Sequence, residues 1–437
     1  MNIISSVTGF VLSIFVYLAS LMTPSFVSPV PEIEQDDFVP VLRFVAASDT
    51  HIETLGDTGC KRTSAMIKTA YAISEADADY KNLDAVVFSG DITDNGRRNS
   101  FYAFAAVTDN EIREGTERLA VVSKAHDSYA FLNNSLDVFT GITGQEETDF
   151  HRVINGFHFI GISRSSTLKH YTDEQVKWLD ENLASAVADD PEKPVFVFQH
   201  EHVKDTVYGS SKTDGWGLDV FTEVLSKYPQ AVHISGHSHF PANDPRAVWQ
   251  GSFTAINDGG LAYYELAVDG KNGQFPEEKD RMSQALIIEV DADNRVLVKV
   301  LDVDEGKIMR EFLIDNIGEE NKEKYSFEKR KENSSAPVFQ EDATLAYEKK
   351  GIKHYITVPQ ATVSGDNEVF LYRISVVNEK GKTVYEDWAF SQYFFADKPE
   401  SITFDGFVTL NKSFTVKVCA EDVWGNRSEP LELKTGN

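Results

Sequence analysis

Four short stretches put acids and histidines where apolar runs end: Asp49-Thr50-His51, Gly90-Asp91-Ile92-Thr93-Asp94, His200, and Gly236-His237-Ser238-His239. Aspartate and histidine supply the oxygen and nitrogen donors that a borderline divalent or trivalent metal ion takes. Each stretch follows a strand-like run: Val41 to Ala47, Leu83 to Phe88, Val195 to Phe198 and Val232 to Ser235. Donors carried by several parallel strands meet at one sheet edge, where open α/β folds place their sites. The set reads as a metal centre. Gly-His-x-His alone is as readily surface decoration, and Asp-x-His is weaker still, so the signal lies in the ordered combination.

That order and spelling resemble the calcineurin-like metallophosphoesterase superfamily, whose pattern is D-x-H, G-D-x-x-D, G-N-H-D/E, a lone His and G-H-x-H. The resemblance runs roughly from Val41 to Asp304. It implies one metal held by Asp49, His51, Asp91 and His239, and a second held by Asp91, His200, His237 and an asparagine. Asp91 would bridge cations about 3.5–4 Å apart, which its two oxygens and negative charge allow. The implied cofactors are two divalent or trivalent ions (Mn, Fe or Zn). The implied chemistry is hydrolysis of a small phosphate ester by metal-activated water, a diester slightly favoured over a monoester. In the same resemblance His126, positioned by Asp127, protonates the leaving alkoxide or stabilises the transition state.

The third motif departs from the family. After the run Leu119 to Ser123 comes Lys124-Ala125-His126-Asp127, so alanine stands where the family has its metal-binding asparagine. A methyl group cannot ligate, and an inward Lys124 ammonium would oppose a cation, so the second site is expected to bind weakly. Asn95, Asn133 and Asn134 are asparagines in the same part of the chain.

Other residues have two readings each. His202 follows His200 by two positions, which returns it to the same face of an extended chain, within reach of substrate. Arg97 and Arg98 are candidates for a phosphate oxygen or a solvated helix face. Trp216 and Trp249 lie in loop-like stretches that could line a cleft or cap the core. Asp94 suits an orienting or loop-capping acid, His126 and Asp127 could be an ordinary turn pair, and His158 and His233 fall inside strand-like runs.

The elements that must position these residues alternate strand and helix from Val41 to about Asp304. Met66, Ala70 and Ile73 recur at helical spacing, as do Val176, Leu179 and Leu183 behind a Thr172-x-x-Gln175 capping box. Past His239 the runs Leu261 to Leu266, Ala285 to Val290 and Val296 to Val303 look like antiparallel hairpins. The expected fold is α/β, a two-sheet metallophosphoesterase sandwich flanked by helices over 40–305, followed by a small all-β sandwich. A charged stretch at 306–335 reads as an exposed connector, so the first unit should fold without the second. From 336 to 437 the runs are strand-like, and Val418 to Ser428 resembles the last hairpin of a fibronectin type III or immunoglobulin-like module. Such a module is a spacer, or a binder of protein or carbohydrate.

Of 437 residues 69 are acidic and 42 basic, and the net charge of −27 repels nucleic acid and anionic membranes. It permits a phosphate substrate, because bound cations dominate the local field. Residues 1–31, with the apolar run Gly9 to Met22, fit a secretory signal peptide or an N-terminal membrane anchor, so the protein is expected to be exported, secreted or at the cell surface. The two cysteines, Cys60 and Cys419, make no disulfide framework. A second reading stays open: a degenerate phosphoesterase core serving as an exported binding or adhesion protein.

Overall fold

The computed structural model describes residues 38–130, 134–165, 170–211, 216–320, 322–409 and 413–435. The expected signal peptide or anchor, and Asn133, lie outside them. Among the described residues no helix is long and apolar enough to cross a membrane.

Two six-stranded sheets form the first part. One runs in the order Lys307–Ile314, Val296–Asp302, Gln284–Asp291, Pro40–Ala47, Ala85–Phe88, Glu117–Ala120. The last three strands are mutually parallel, and the others extend the sheet in antiparallel fashion. The other runs Val248–Gln250, Thr254–Asn257, Ala231–Ser235, Val195–Phe198, Phe157–Gly161, Phe150–Ile154, with four parallel strands flanked by two antiparallel edges.

Strand side chains alternate between faces, and here both faces are buried, which explains the unbroken apolar runs. Leu42, Phe44 and Ala46 point between the sheets, where Phe44 meets Phe159, Phe196 and Phe198 edge-on at 5.0, 4.8 and 6.1 Å. Val45 and Ala47 face the other way, onto the helices Thr58–Ala76 and Arg98–Glu111. The helix Asp173–Asp189 covers the second sheet with Leu179 and Leu183, each contributing about 1.5–3 kcal/mol by burial. Its Thr172–Gln175 capping box forms in both directions.

Two local expectations need correcting. Lys307–Ile314 pairs with Val296–Asp302 as the edge strand of the first sheet, so this part of the charged stretch is regular strand. Leu261 to Glu265 is loop, and the hairpin there is Leu266–Val268 with Lys271–Gln274. The region beyond is mostly β-strand, in a three-stranded sheet (Ala346–Lys350, Lys353–Pro359, Ser401–Thr403) and a four-stranded sheet (Thr383–Phe390, Val369–Asn378, Phe414–Asp422, Leu431–Thr435).

These later sheets are not a loose appendage. Phe370, Tyr393, Phe394 and Trp424 share one buried cluster with Tyr208, Phe240 and Tyr264 of the first part. The Tyr393 hydroxyl donates to the buried Asp244 carboxylate at 2.7 Å, and Arg246, paired with the same acid, lies 3.6 Å over the Tyr208 ring and 5.1 Å from that of Phe370. Arg310 and Arg330 both reach Asp366. A chain ending after Asp315 would expose this aromatic cluster and is expected to be insoluble or to unfold at markedly lower urea than the full chain. Tyr393→Phe removes one hydrogen bond to a buried carboxylate and should cost about 2 kcal/mol in urea unfolding. A soluble truncated chain of undiminished stability would show that the seam contributes nothing.

Candidate metal centre

All the ligand candidates leave the carboxyl ends of parallel strands of both sheets, and at those ends the backbone turns sharply. Asp49, His51, Asp91, His237 and His239 all have positive φ, between 45° and 70°. Left-handed backbone costs an L-residue about 1–2 kcal/mol, and aspartate and histidine tolerate it better than most. The turns aim five side chains at one point. Two glycines make room: a Cβ on Gly236 would sit 1.9 Å from Ser48 Oγ, and one on Gly90 would sit 2.7 Å from the His200 ring.

The donors gather into groups whose ligand atoms lie within 4.8 Å of one another: Asp49, His51 and His239; Asp91, His200 and His237; and His51, Asp91 and His126. Asp91 is common to two of them. His239 Nε2 is 3.2 Å from Asp49 Oδ1, and His200 Nε2 is 3.2 Å from Asp91 Oδ2. The outer ring nitrogens are tied back. His200 Nδ1 donates to the Ser89 carbonyl at 3.0 Å, and His239 Nδ1 donates to the Tyr263 carbonyl at 3.0 Å. Since a carbonyl only accepts, these bonds leave each Nε2 as the inward donor atom.

This arrangement fits metal ions. Asp49 Oδ1 and His200 Nε2 are buried without a hydrogen-bond partner, an expensive condition for atoms of this kind unless a cation meets them. Burial pushes the Asp49 carboxyl up, but His239 and His51 outweigh it and hold it well below the usual range. Asp91 is likewise lowered, burial being outweighed by His200. In return His51, despite its burial, is lifted to about 10 by Asp49 and Asp94. The cluster draws positive charge.

A layer of small polar groups braces it. Ser48 Oγ donates to Asp258 Oδ1 at 2.7 Å and also contacts Asp49, Ser89 Oγ donates to the other Asp258 oxygen, and Ser123 Oγ donates to Asp91 Oδ1. Asp258 is a residue that sequence reasoning missed, although it shows the same sign as the ligands, an acid directly after the strand Thr254–Asn257. Tyr263, stacked on His239 at 4.1 Å, gave no such sign.

Several candidates take different roles from those expected. Asp127 does not touch His126: its buried carboxylate accepts the backbone N–H groups of Thr93 (2.8 Å) and Ser123 (3.0 Å), locking two ligand loops together. Asp94 holds His126 instead, its carbonyl accepting from Nδ1 at 2.7 Å, and its carboxylate reaches His51 Nδ1 at 3.3 Å. His202 spends both ring nitrogens on Ser235 and Ser238, 2.8 Å each, and is fully buried, which removes it from substrate contact. Arg97 and Arg98 are exposed at the start of the helix Arg98–Glu111, three and four residues beyond Asp94. Trp249 packs on Phe253 at the sheet edge, whereas Trp216 stands 5.5 Å from His237 beside the centre. At the third motif, Ala125 offers only its methyl group, and Lys124 feels the charges of Arg164 and Glu201.

Residues 42–241 match the calcineurin-like phosphoesterase family. A protein of Arcobacter nitrofigilis described as a probable glycerophosphodiester phosphodiesterase GpdQ is 26% identical over 206 residues, covering 45% of this chain and 71% of its own. Among solved structures, the purple acid phosphatase PPD1 of yellow lupin (Lupinus luteus) aligns with TM-score 0.43 and 14% identity over 62% of this chain and 53% of its own. A putative 5′-nucleotidase of Staphylococcus aureus aligns with TM-score 0.37 and 11% identity over 60% and 54%. The chain thus spans about half the length of these solved structures.

Because Asp91 is shared between groups, Asp91→Asn should lose most of the bound metal at both positions, while His239→Ala should empty chiefly the position shared with Asp49 and His51. Metal content per chain, measured by mass spectrometry after desalting, separates the two. Near-normal content in Asp91→Asn would remove it from the centre.

Proposed function

We propose that this chain, whose residues 42–241 match the calcineurin-like phosphoesterase family, hydrolyses phosphate esters at the Asp49–His239 cluster, diesters in preference to monoesters. The observation that carries this reading is the convergence of two acids and four imidazoles from two sheets, with Asp49 Oδ1 and His200 Nε2 buried and unbonded at its heart. The diester preference is supported by the description of the Arcobacter relative. Metal ions held there would polarise the phosphoryl oxygens and lower the pKa of water.

The protein's own residues supply the rest. Asp49, His51 and His239 would hold one ion, Asp91, His200 and His237 the other, with Asp91 between. His126 stands next to His51, ring centroids 4.3 Å apart, with Nδ1 fixed on the Asp94 carbonyl. Its Nε2 would deliver a proton to the leaving alkoxide, and the Asp94 carboxylate stands 3.6 Å from Nδ1 on the far side of the ring. Asp94 is a positioning residue in this scheme.

The two positions are unequal in this reading. The second has three protein ligands, because Ala125 occupies the place of the family asparagine, and Ser123 supports Asp91 rather than replacing the lost oxygen. We assign the later sheets to a fibronectin type III-like module, which their three-plus-four strand division supports. The apolar run Gly9 to Met22 supports export, by cleavage or as an anchor.

Hydrolysis of a chromogenic diester and monoester, measured across Mn, Fe, Zn, Ni and Mg beside metal content, tests the function. Turnover of the diester faster than the monoester is expected. Bound metal without turnover of either would favour the alternative that Ala125 suggests, a core that binds and does not catalyse. Ala125→Asn with Lys124→Gly should tighten the second metal roughly fivefold for each kcal/mol regained and raise the rate. Two equally tight metals in the unmodified chain, unchanged by the double substitution, would overturn the inequality.

A further inference from the structure

A border of rings surrounds the metal ligands and takes no part in the chemistry above. Tyr129 is 64% exposed, and its ring lies 4.9 Å from that of His126. Tyr263 is held between the His239 ring, 4.1 Å away, and the Lys279 ammonium, 4.7 Å from its centroid. Phe275, 51% exposed, continues the row 6.2 Å from Tyr263, and Trp216 stands 5.5 Å from His237. Rings therefore run from Tyr129 through His126, His51 and Tyr263 to Phe275, with the ligand cluster alongside. Leaving a phenyl or phenol ring in water forgoes burial worth about 1.5–3 kcal/mol, so two such rings at the mouth of a polar cluster call for an occupant.

We propose that this rim binds the organic group of the phosphoester through a flat π face, a nucleobase or an aryl ring carried on one ester oxygen. The inference rests on the phosphoesterase reading and names the substrate class for it. Tyr129 and Phe275 present the free faces, and Tyr263, enclosed on both sides, is the post that holds the row. Aromatic stacking of this kind is tolerant of base identity and worth about 1–3 kcal/mol per base. A quaternary ammonium headgroup would also suit bare rings. Here Lys279, paired with Asp280 at 2.9 Å, already fills the cation position 4.7 and 5.4 Å over Tyr263 and Phe275. The rim thus selects a neutral flat group over a choline-like one.

The test compares thymidine 5′-(4-nitrophenyl) phosphate, bis(4-nitrophenyl) phosphate and glycerophosphocholine as substrates of the metal-loaded full chain and of Tyr129→Ala, Phe275→Ala and the double variant. The ratio of kcat/KM for a flat ester to that for glycerophosphocholine should fall about tenfold in the double variant, mostly through KM. Loss on the thymidine ester alone assigns nucleobases, and loss on both flat esters assigns aryl groups, since each carries a nitrophenyl ring. A ratio that stays within twofold, or glycerophosphocholine as the preferred substrate of the unmodified chain, overturns the proposal. If no ester is turned over, the phosphoesterase reading fails separately, and binding decides the rim. Thymidine 5′-monophosphate, followed by tryptophan fluorescence, should then bind the unmodified chain about tenfold more tightly than the double variant, and equal binding rejects the rim.

Discussion

Two carboxylates with almost no access to water, Asp49 at 0% and Asp91 at 2% exposure, set the terms for the rest of the molecule. Burying an unpaired charge is prohibitive, so each must be surrounded by groups that carry or attract positive charge. The four imidazoles do this, and they come from strands of two different sheets. The ligand cluster can therefore form only if the sheets pack face to face in one registration, which the Phe44, Phe159, Phe196 and Phe198 contacts fix. The core between the sheets and the charge at their edge are one structural problem with one solution.

The backbone shares the cost of that solution. Five of the ligands sit in left-handed conformations, and the chain tolerates them because the loops are cross-tied. Asp49 N–H donates to the Gly90 carbonyl at 3.0 Å, His51 N–H to the Asp91 carbonyl at 3.2 Å, and His237 N–H to Asp49 Oδ2 at 2.9 Å. Asp127 adds the third loop by accepting from Thr93 and Ser123. The carboxylate that sequence reasoning places beside the catalytic histidine is thus a fastener of backbone, and its burial, which lifts its pKa to about 6, shows how far from solvent that fastening lies.

The difference between what was legible and what was not follows from the range of the interactions. The residues that gather at the cluster could be read because each is a local event, a polar residue ending an apolar strand, and the Thr172–Gln175 capping box is equally local. His202 looked available because an extended chain returns alternate residues to one face, but Ser235 and Ser238, more than thirty positions away, claim both its nitrogens. Asp94 orients His126, one of the two roles its sequence context allowed, while Asp127 binds backbone instead, because turn geometry and not spacing decides which acid reaches the ring. The strand Lys307–Ile314 hid in a charged stretch since, as an edge strand, it keeps Lys307, Arg310 and Glu311 partly in solvent while Ile308, Phe312 and Ile314 are buried.

The seam between the two halves bears on the centre through the chain that follows His239. Phe240 is buried against Tyr208 at 4.4 Å, Asn243 Nδ2 donates to the Tyr393 carbonyl at 2.9 Å, and Asp244 accepts the Tyr393 hydroxyl. Trp216 touches this same group, 5.8 Å from Phe240, while facing His237. The segment carrying two metal-ligand candidates is therefore clamped at its far end by residues from beyond position 370. Left-handed turns at His237 and His239 hold only where the surrounding structure over-determines them. The later region supplies part of that determination, so its contribution to the centre is geometric even though, among the described residues, none of its side chains enters the ligand groups.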